Sequence, residues 1–182
     1  MTASAITGLP VVTVRGGDDV AEVRDVIYDP AAGRLVGLTL NKRGFLAGRC
    51  RDVLTDDAIH AIGRDAVMVM DMSSLVPPDA APEEVAHPPT ERNVLGNDVL
   101  TESGVSLGTV RDLALVVGSS GEVVGYQIEK SGGGTAFIPL PAQLAVSGTA
   151  LVVPDVTEDF VLDDLVGLGA AVDEFRARLG LA

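Results

Sequence analysis

Apolar and polar positions alternate imperfectly along Val23-Arg24-Asp25-Val26-Ile27-Tyr28-Asp29, where Val23, Val26 and Tyr28 are interleaved with Arg24, Asp25 and Asp29. That pattern predicts a strand carrying a local irregularity. Asp29-Pro30 opens a turn, and Gly33 supplies a position that tolerates positive φ. The return strand is RLVGLTL, residues 34–40. Nearly the same phrase begins again at Val110, turns through Gly118-Ser119-Ser120-Gly121 and returns through Val124 and Gly125. Val23 maps to Val110, Gly37 to Gly125 and Ala61 to Ala145. Shorter strands are predicted at 66–70 and 150–153, each after a glycine-containing turn. Self-similarity of this kind sets the domain count, and short strands at this spacing predict small barrels rather than an open sheet.

Two segments break the pattern. Residues 73–92 hold five prolines, at 77, 78, 82, 88 and 89. Proline lacks an amide donor and fixes φ, so neither a helix nor an inner strand is expected there. A semi-rigid linker or a segment draped over one barrel both fit. From Thr157 the apolar residues fall at Val161, Leu165, Leu168, Val172, Phe175 and Leu179. Those intervals of four and three residues are helical and heptad-like. Asp155 with Glu158 could form a capping box, and Arg176 and Arg178 would sit near the negative end of the helix dipole. Gly167 and Gly169 each cost a helix about 1 kcal/mol against Ala, so packing against something is implied. Docking on the chain's own barrel and dimerisation both remain open. The expected division is a barrel at 5–72, a Pro-rich linker at 73–92, a second barrel at 93–156 and an amphipathic helix at 157–181.

These residues resemble a known family. Gly8-Leu9-Pro10-Val11, Val23-Arg24-Asp25, Gly33 and Val36-Gly37, closing on Ile62-Gly63 and Asp65-Ala66-Val67, look like the PRC-barrel, named for the photosynthetic reaction centre. The second copy matches through Leu107-Gly108-Thr109-Val110-Arg111-Asp112, Gly121, Val124-Gly125 and 150–153. Its closing motif is replaced by Val146-Ser147-Gly148-Thr149-Ala150, and Asp19-Val20-Ala21-Glu22 stands where the family usually has a glycine. The resemblance implies a mainly β fold, with two tandem PRC-type barrels and a C-terminal amphipathic helix, and no activity of its own. Its known settings include the reaction-centre H subunit and the ribosome-maturation protein RimM. Their common thread is protein–protein contact.

Composition narrows the function classes. The chain has 182 residues, 47% hydrophobic and only 3% aromatic, so its cores rest on Val, Leu, Ile and Ala. Its formal charge is −13, which disfavours phosphate backbones and makes direct nucleic-acid binding a poor expectation. The imbalance is uneven: residues 1–80 hold 8 basic and 11 acidic residues, and residues 81–182 hold 5 and 15. No run of about 18 apolar residues exists, and no signal-peptide pattern opens the chain, so no membrane span is expected and a cytoplasmic location is the default. Cys50 stands alone, and with only His60 and His87 no metal-ligand spacing exists. Asp56-Asp57 reads as a turn cap and Asp163-Asp164 as a solvated face. Lys130 precedes the glycines of 131–134, the wrong order for a phosphate loop. Neither a catalytic residue nor a cofactor is expected.

The most informative polar feature is the connector at 41–51, where Lys42, Arg43, Arg49 and Arg51 flank Phe45 and Leu46. Basic groups around apolar ones suit an interface with an acidic partner. A solvated hairpin loop is the plainer alternative. The candidate interaction surface is therefore this connector together with Val161, Leu165, Leu168, Val172, Phe175 and Leu179. The expected role is a non-catalytic protein-interaction or assembly adaptor, homo-oligomeric or with its two barrels paired in one chain. The alternatives are a regulatory protein with a small-ligand pocket between the barrels, and a ribosome-maturation-like factor acting through protein contacts.

Overall fold

A computed structural model describes residues 1–30, 33–43, 48–86, 94–140, 145–147 and 149–180. The first half holds β1 (Pro10–Thr13), β2 (Asp19–Asp29), β3 (Arg34–Asn41), β4 (Arg49–Thr55), β5 (Ile59–Ile62) and β6 (Val67–Val69). A four-residue helix α1 (Glu83–Ala86) follows. The second half holds β7 (Asp98–Thr101), β8 (Ser106–Leu115), β9 (Val123–Glu129), β10 (Thr135–Pro139), β11 (Ala145–Ser147) and β12 (Ala150–Val153), then α2 (Leu165–Arg178).

The two sheets have corresponding strand orders, β4-β3-β2-β1-β6-β5 and β10-β9-β8-β7-β12-β11. In the first, the outermost strands β4 and β5 are joined by the single 3-10 turn Asp56–Ala58. Leu54 of one and Ile59 and Ile62 of the other belong to the same core cluster, so the sheet curls around a common core. The closing strands agree closely with the sequence pattern: β12 spans 150–153, and β6 lies within 66–70.

The irregular alternation at Val23–Asp29 is a β-bulge between Val23 and Asp25, and β8 has the same bulge between Val110 and Asp112. An inserted residue moves the following side chains to the opposite face. Before it, Ala21 and Val23 point into the barrel; after it, Ile27 points out and joins Val36 and Val53 on a second apolar face. In the second sheet, Ala114, Val124 and Phe137 form the corresponding face. Thr13 and Thr101, both buried, accept the Asp18 and Val105 amides at 3.0 Å in equivalent turns.

The Pro-rich segment is not an extended linker over its described part. It forms 3-10 turns at Met72–Ser74 and Pro78–Ala80, then α1. Val76 pairs with edge strand β4, exchanging backbone bonds with Val53 at 2.8 and 3.1 Å. Val85 is buried against Ile27, Val36 and Val53. Burial of this one side chain pins the segment as a strap across the first sheet.

The C-terminal helix starts later than the heptad spacing implies. Residues Asp155–Phe160 form a 3-10 helix, and Leu162 is extended because it pairs with Phe137 of β10. The helix cap is Asp164, which accepts the Gly167 amide at 2.6 Å; Asp155 instead accepts the Ser103 amide. Thus 3-10 turn, edge-strand pairing and helix follow each sheet in the same order. α1 is the short counterpart of α2.

The halves share one hydrophobic cluster and backbone pairing. Ile62 donates to Ser119 and accepts from Gly118, both at 2.8 Å. Residues Met1–Ser4 run along β8, with Ala3 donating to Leu113 and Leu115 donating to Met1. Leu35 packs against Gly121 at a distance that leaves no ordinary room for a Cβ. No helix among the described residues is long and apolar enough to cross a membrane.

Candidate interaction faces

The outer faces of the two sheets are built on equivalent glycines. A Cβ at Gly37 would stand 2.7 Å from the Leu54 carbonyl oxygen and 3.0 Å from Val85 Cγ1. A Cβ at Gly125 would collide with the Ile138 carbonyl and lie 3.2 Å from Leu168 Cδ1. Each glycine thus lets an edge strand and a helical side chain approach closely, which only a residue without a side chain permits. Val85 fills the first seat and Leu168 the second.

The second seat is heavily occupied. Leu168 and Val172 are buried against Ala114 and Phe137 of the chain's own sheet, Phe175 is buried beside Phe160, and Val161, Leu165 and Leu179 are half-buried. The three buried residues are therefore spent in cis. Phe175 meets Phe160 edge-on at 5.2 Å, and the Arg178 guanidinium lies 5.0 Å over the Phe160 ring. Charges hold both ends of α2: Lys130 reaches Asp163 at 3.2 Å, and Arg176 reaches Glu122 at 3.5 Å. The exposed side of α2 carries one large apolar residue, Val166.

The basic connector is divided. Arg43 donates from Nε to both Asp19 oxygens at 2.8 Å and from Nη1 to Glu22 at 3.0 Å. Its charge is answered within its own barrel, and these hydrogen bonds, that to Asp19 first, raise its pKa. Lys42 and Arg51 are exposed and have no ionic partner among the described residues. Arg49 lies on β4. Phe45 and Leu46, like His87, lie outside the described residues. An apolar cluster that the sequence pattern did not single out lies at the end of the first sheet. There Val14 donates to Val69, Arg15 donates to Met70, and Val14, Met70 and Met72 are exposed beside the Arg15–Asp71 ion pair.

The glycines after Lys130 close a hairpin in which Lys130 donates to Gly134 and Gly133 donates to Lys130. Asp56 pairs with Arg34, His60 is an exposed residue of β5, and Cys50 is half-buried against the core. Tyr28 and Tyr126 share a hydroxyl hydrogen bond between the halves. Burial pushes the Tyr28 phenol up to about 12 and raises Tyr126 as well. The Ser103 amide holds the Asp155 carboxyl below the usual carboxylate range. No group of three or more His, Cys, Asp and Glu among the described residues is placed to hold a metal.

No curated protein matches the chain. Residues 1–76 match the PRC-barrel domain, a span that holds the whole first sheet and ends on Val76, the strap residue paired with Val53, so the first half of the chain carries a PRC-barrel domain.

Proposed function

We propose that the chain is a non-catalytic interaction module made of two tandem PRC-type barrels, with its partner-binding surface on the first. One observation carries this reading: each sheet presents an equivalent apolar face that seats a helical side chain directly over a glycine, Val85 over Gly37 and Leu168 over Gly125. The face is thus a receptor for helices by construction. The shared strand order, bulge positions and buried threonines support the second half as a barrel of the same kind. Exposed Lys42 and Arg51, just beyond β3 and on β4 of the first sheet, supply the polar side of the interface. The alternative small-ligand site between the barrels gains no support from the junction, where the Tyr28–Tyr126 pair and the Leu35–Gly121 contact pack side chains together.

Immobilised protein is expected to retain a protein from its native cell at near-stoichiometric yield. Combined Lys42→Glu and Arg51→Glu substitutions should reduce that yield without lowering the melting temperature. Retention of nothing, or retention indifferent to both reversals, contradicts the reading.

A further inference from the structure

The two helix seats are equivalent in backbone but unequal in what fills them. The α2 side contributes two side chains buried on the face, Leu168 and Val172, with half-buried Leu162 and Leu165 packed beside them. The α1 side contributes one, Val85, from a four-residue helix. Among the described residues, half-buried Val76 and Ala81 add to the cover. Under this strap lies an apolar face whose equivalent holds a 14-residue helix.

Charge identifies the occupant. In the second half, Lys130 lies just beyond β9, closes a hairpin through its amide bond to Gly134, and pairs with Asp163 ahead of α2. Lys42 occupies the equivalent place beyond β3, closes its hairpin through its amide bond to Gly48, and has no ionic partner among the described residues. At the other end, Glu122, just before β9, pairs with Arg176 of α2. Its equivalent before Leu35 is Arg34, opposite in sign, half-exposed and paired with Asp56. The second seat has a cation at one end and an anion at the other. The first seat has cations at both. A second copy's α2 would bring Arg176 against Arg34, an unfavourable juxtaposition.

We propose that the face under the 72–86 strap is a docking site for an amphipathic helix of a partner protein with acidic residues at both ends, and that the strap is the displaceable cover of that site. The inference rests on the interaction-module reading and adds the partner's chemistry to it. The partner's apolar anchors enter over Gly37 in place of Val85. Its first-turn acid meets Lys42, and its last-turn acid meets Arg34. A helix laid in an apolar groove with i, i+4 and i+7 anchors is an established mode of recognition.

The probe is a synthetic peptide of residues 155–180 carrying Arg176→Glu, titrated against the full chain by calorimetry, beside the unmodified peptide. The Glu-bearing peptide is expected to bind, and to bind about three- to tenfold more weakly to Lys42→Glu, the size expected of an exposed charge pair turned repulsive. Lys130→Glu should leave its affinity unchanged, which places the site on the first sheet. Binding should also strip hydrogen-exchange protection from the Val53 and Val76 amides. The folded Val85→Ser variant, with a weakened cover, should bind more tightly. No binding to either the wild type or Val85→Ser overturns the proposal, while a stoichiometric partner retained through another surface would leave the broader interaction reading standing. Tighter binding by the unmodified peptide also overturns it and assigns the seat to a second copy of the chain. Loss of affinity with Lys130→Glu in place of Lys42→Glu overturns the location.

Discussion

The hydroxyls of Tyr28 and Tyr126 meet at 2.6 Å, one from each half of the chain, with their rings edge-on at 6.3 Å. Removing one hydroxyl leaves the other buried without that partner. Tyr28→Phe or Tyr126→Phe is expected to cost about 1–3 kcal/mol. The double substitution should cost less than the sum of the two, because no orphaned hydroxyl remains. Urea denaturation of the four proteins checks this.

The same pair sets a pH dependence. Burial raises the Tyr28 phenol to about 12, above its ordinary 10. The folded state therefore keeps a proton that the unfolded state releases. This contribution to stability is complete below pH 10 and is lost as the pH rises from 10 towards 12. Tyr28→Phe should flatten the alkaline fall in a series of denaturant midpoints.

Asp112 and Asp25 occupy equivalent bulges but carry different loads. Asp112 is buried and accepts the Ser4 amide, the Ser4 hydroxyl and the Leu113 amide, whereas Asp25 is exposed and accepts the Val26 amide. Asp112→Ala is expected to cost about 1–3 kcal/mol by leaving the buried Leu113 amide unmet and releasing Ser4. Asp25→Ala should cost about 1 kcal/mol or less. Equal costs in thermal melts would mean that residues 1–4 do not fasten the halves together.

The helix seats give a graded series. Leu168→Ala should destabilise by about 2–5 kcal/mol, the usual range for a buried leucine. Val85→Ala should cost about 1.5 kcal/mol for two methylene equivalents. Gly125→Ala places a Cβ against the Ile138 carbonyl and should cost about 1–3 kcal/mol through strain.

Much of the strand pattern was legible in the sequence, because period-two alternation and glycine turns are local signals. The broken alternation at Val23–Asp29 even disclosed the bulge. What the bulge achieves was not legible: it turns Ile27 outward to join Val36 and Val53, and that face becomes visible only when the strands are side by side. The strap was obscured by its prolines, which argue against regular structure and say nothing about the single valine at 85 that pins it. The heptad spacing from Val161 merged two elements, since Val161 and Leu165 belong to different ones. Pairing of Leu162 with Phe137 decides where the helix starts. The basic connector was legible as charge, but the Arg43 pairing with Asp19 and Glu22 depends on strand register.

The most direct measurement is native-state hydrogen exchange at two equivalent pairs of amides. Val53 and Val76 bond to each other under the strap, and Phe137 and Leu162 bond to each other beside α2. A displaceable strap opens without global unfolding. The Val53 and Val76 amides should therefore exchange through a local opening, well faster than Phe137 and Leu162, which should exchange close to the global rate. Equal protection of the two pairs would contradict the reading of one seat as covered and the other as permanently filled.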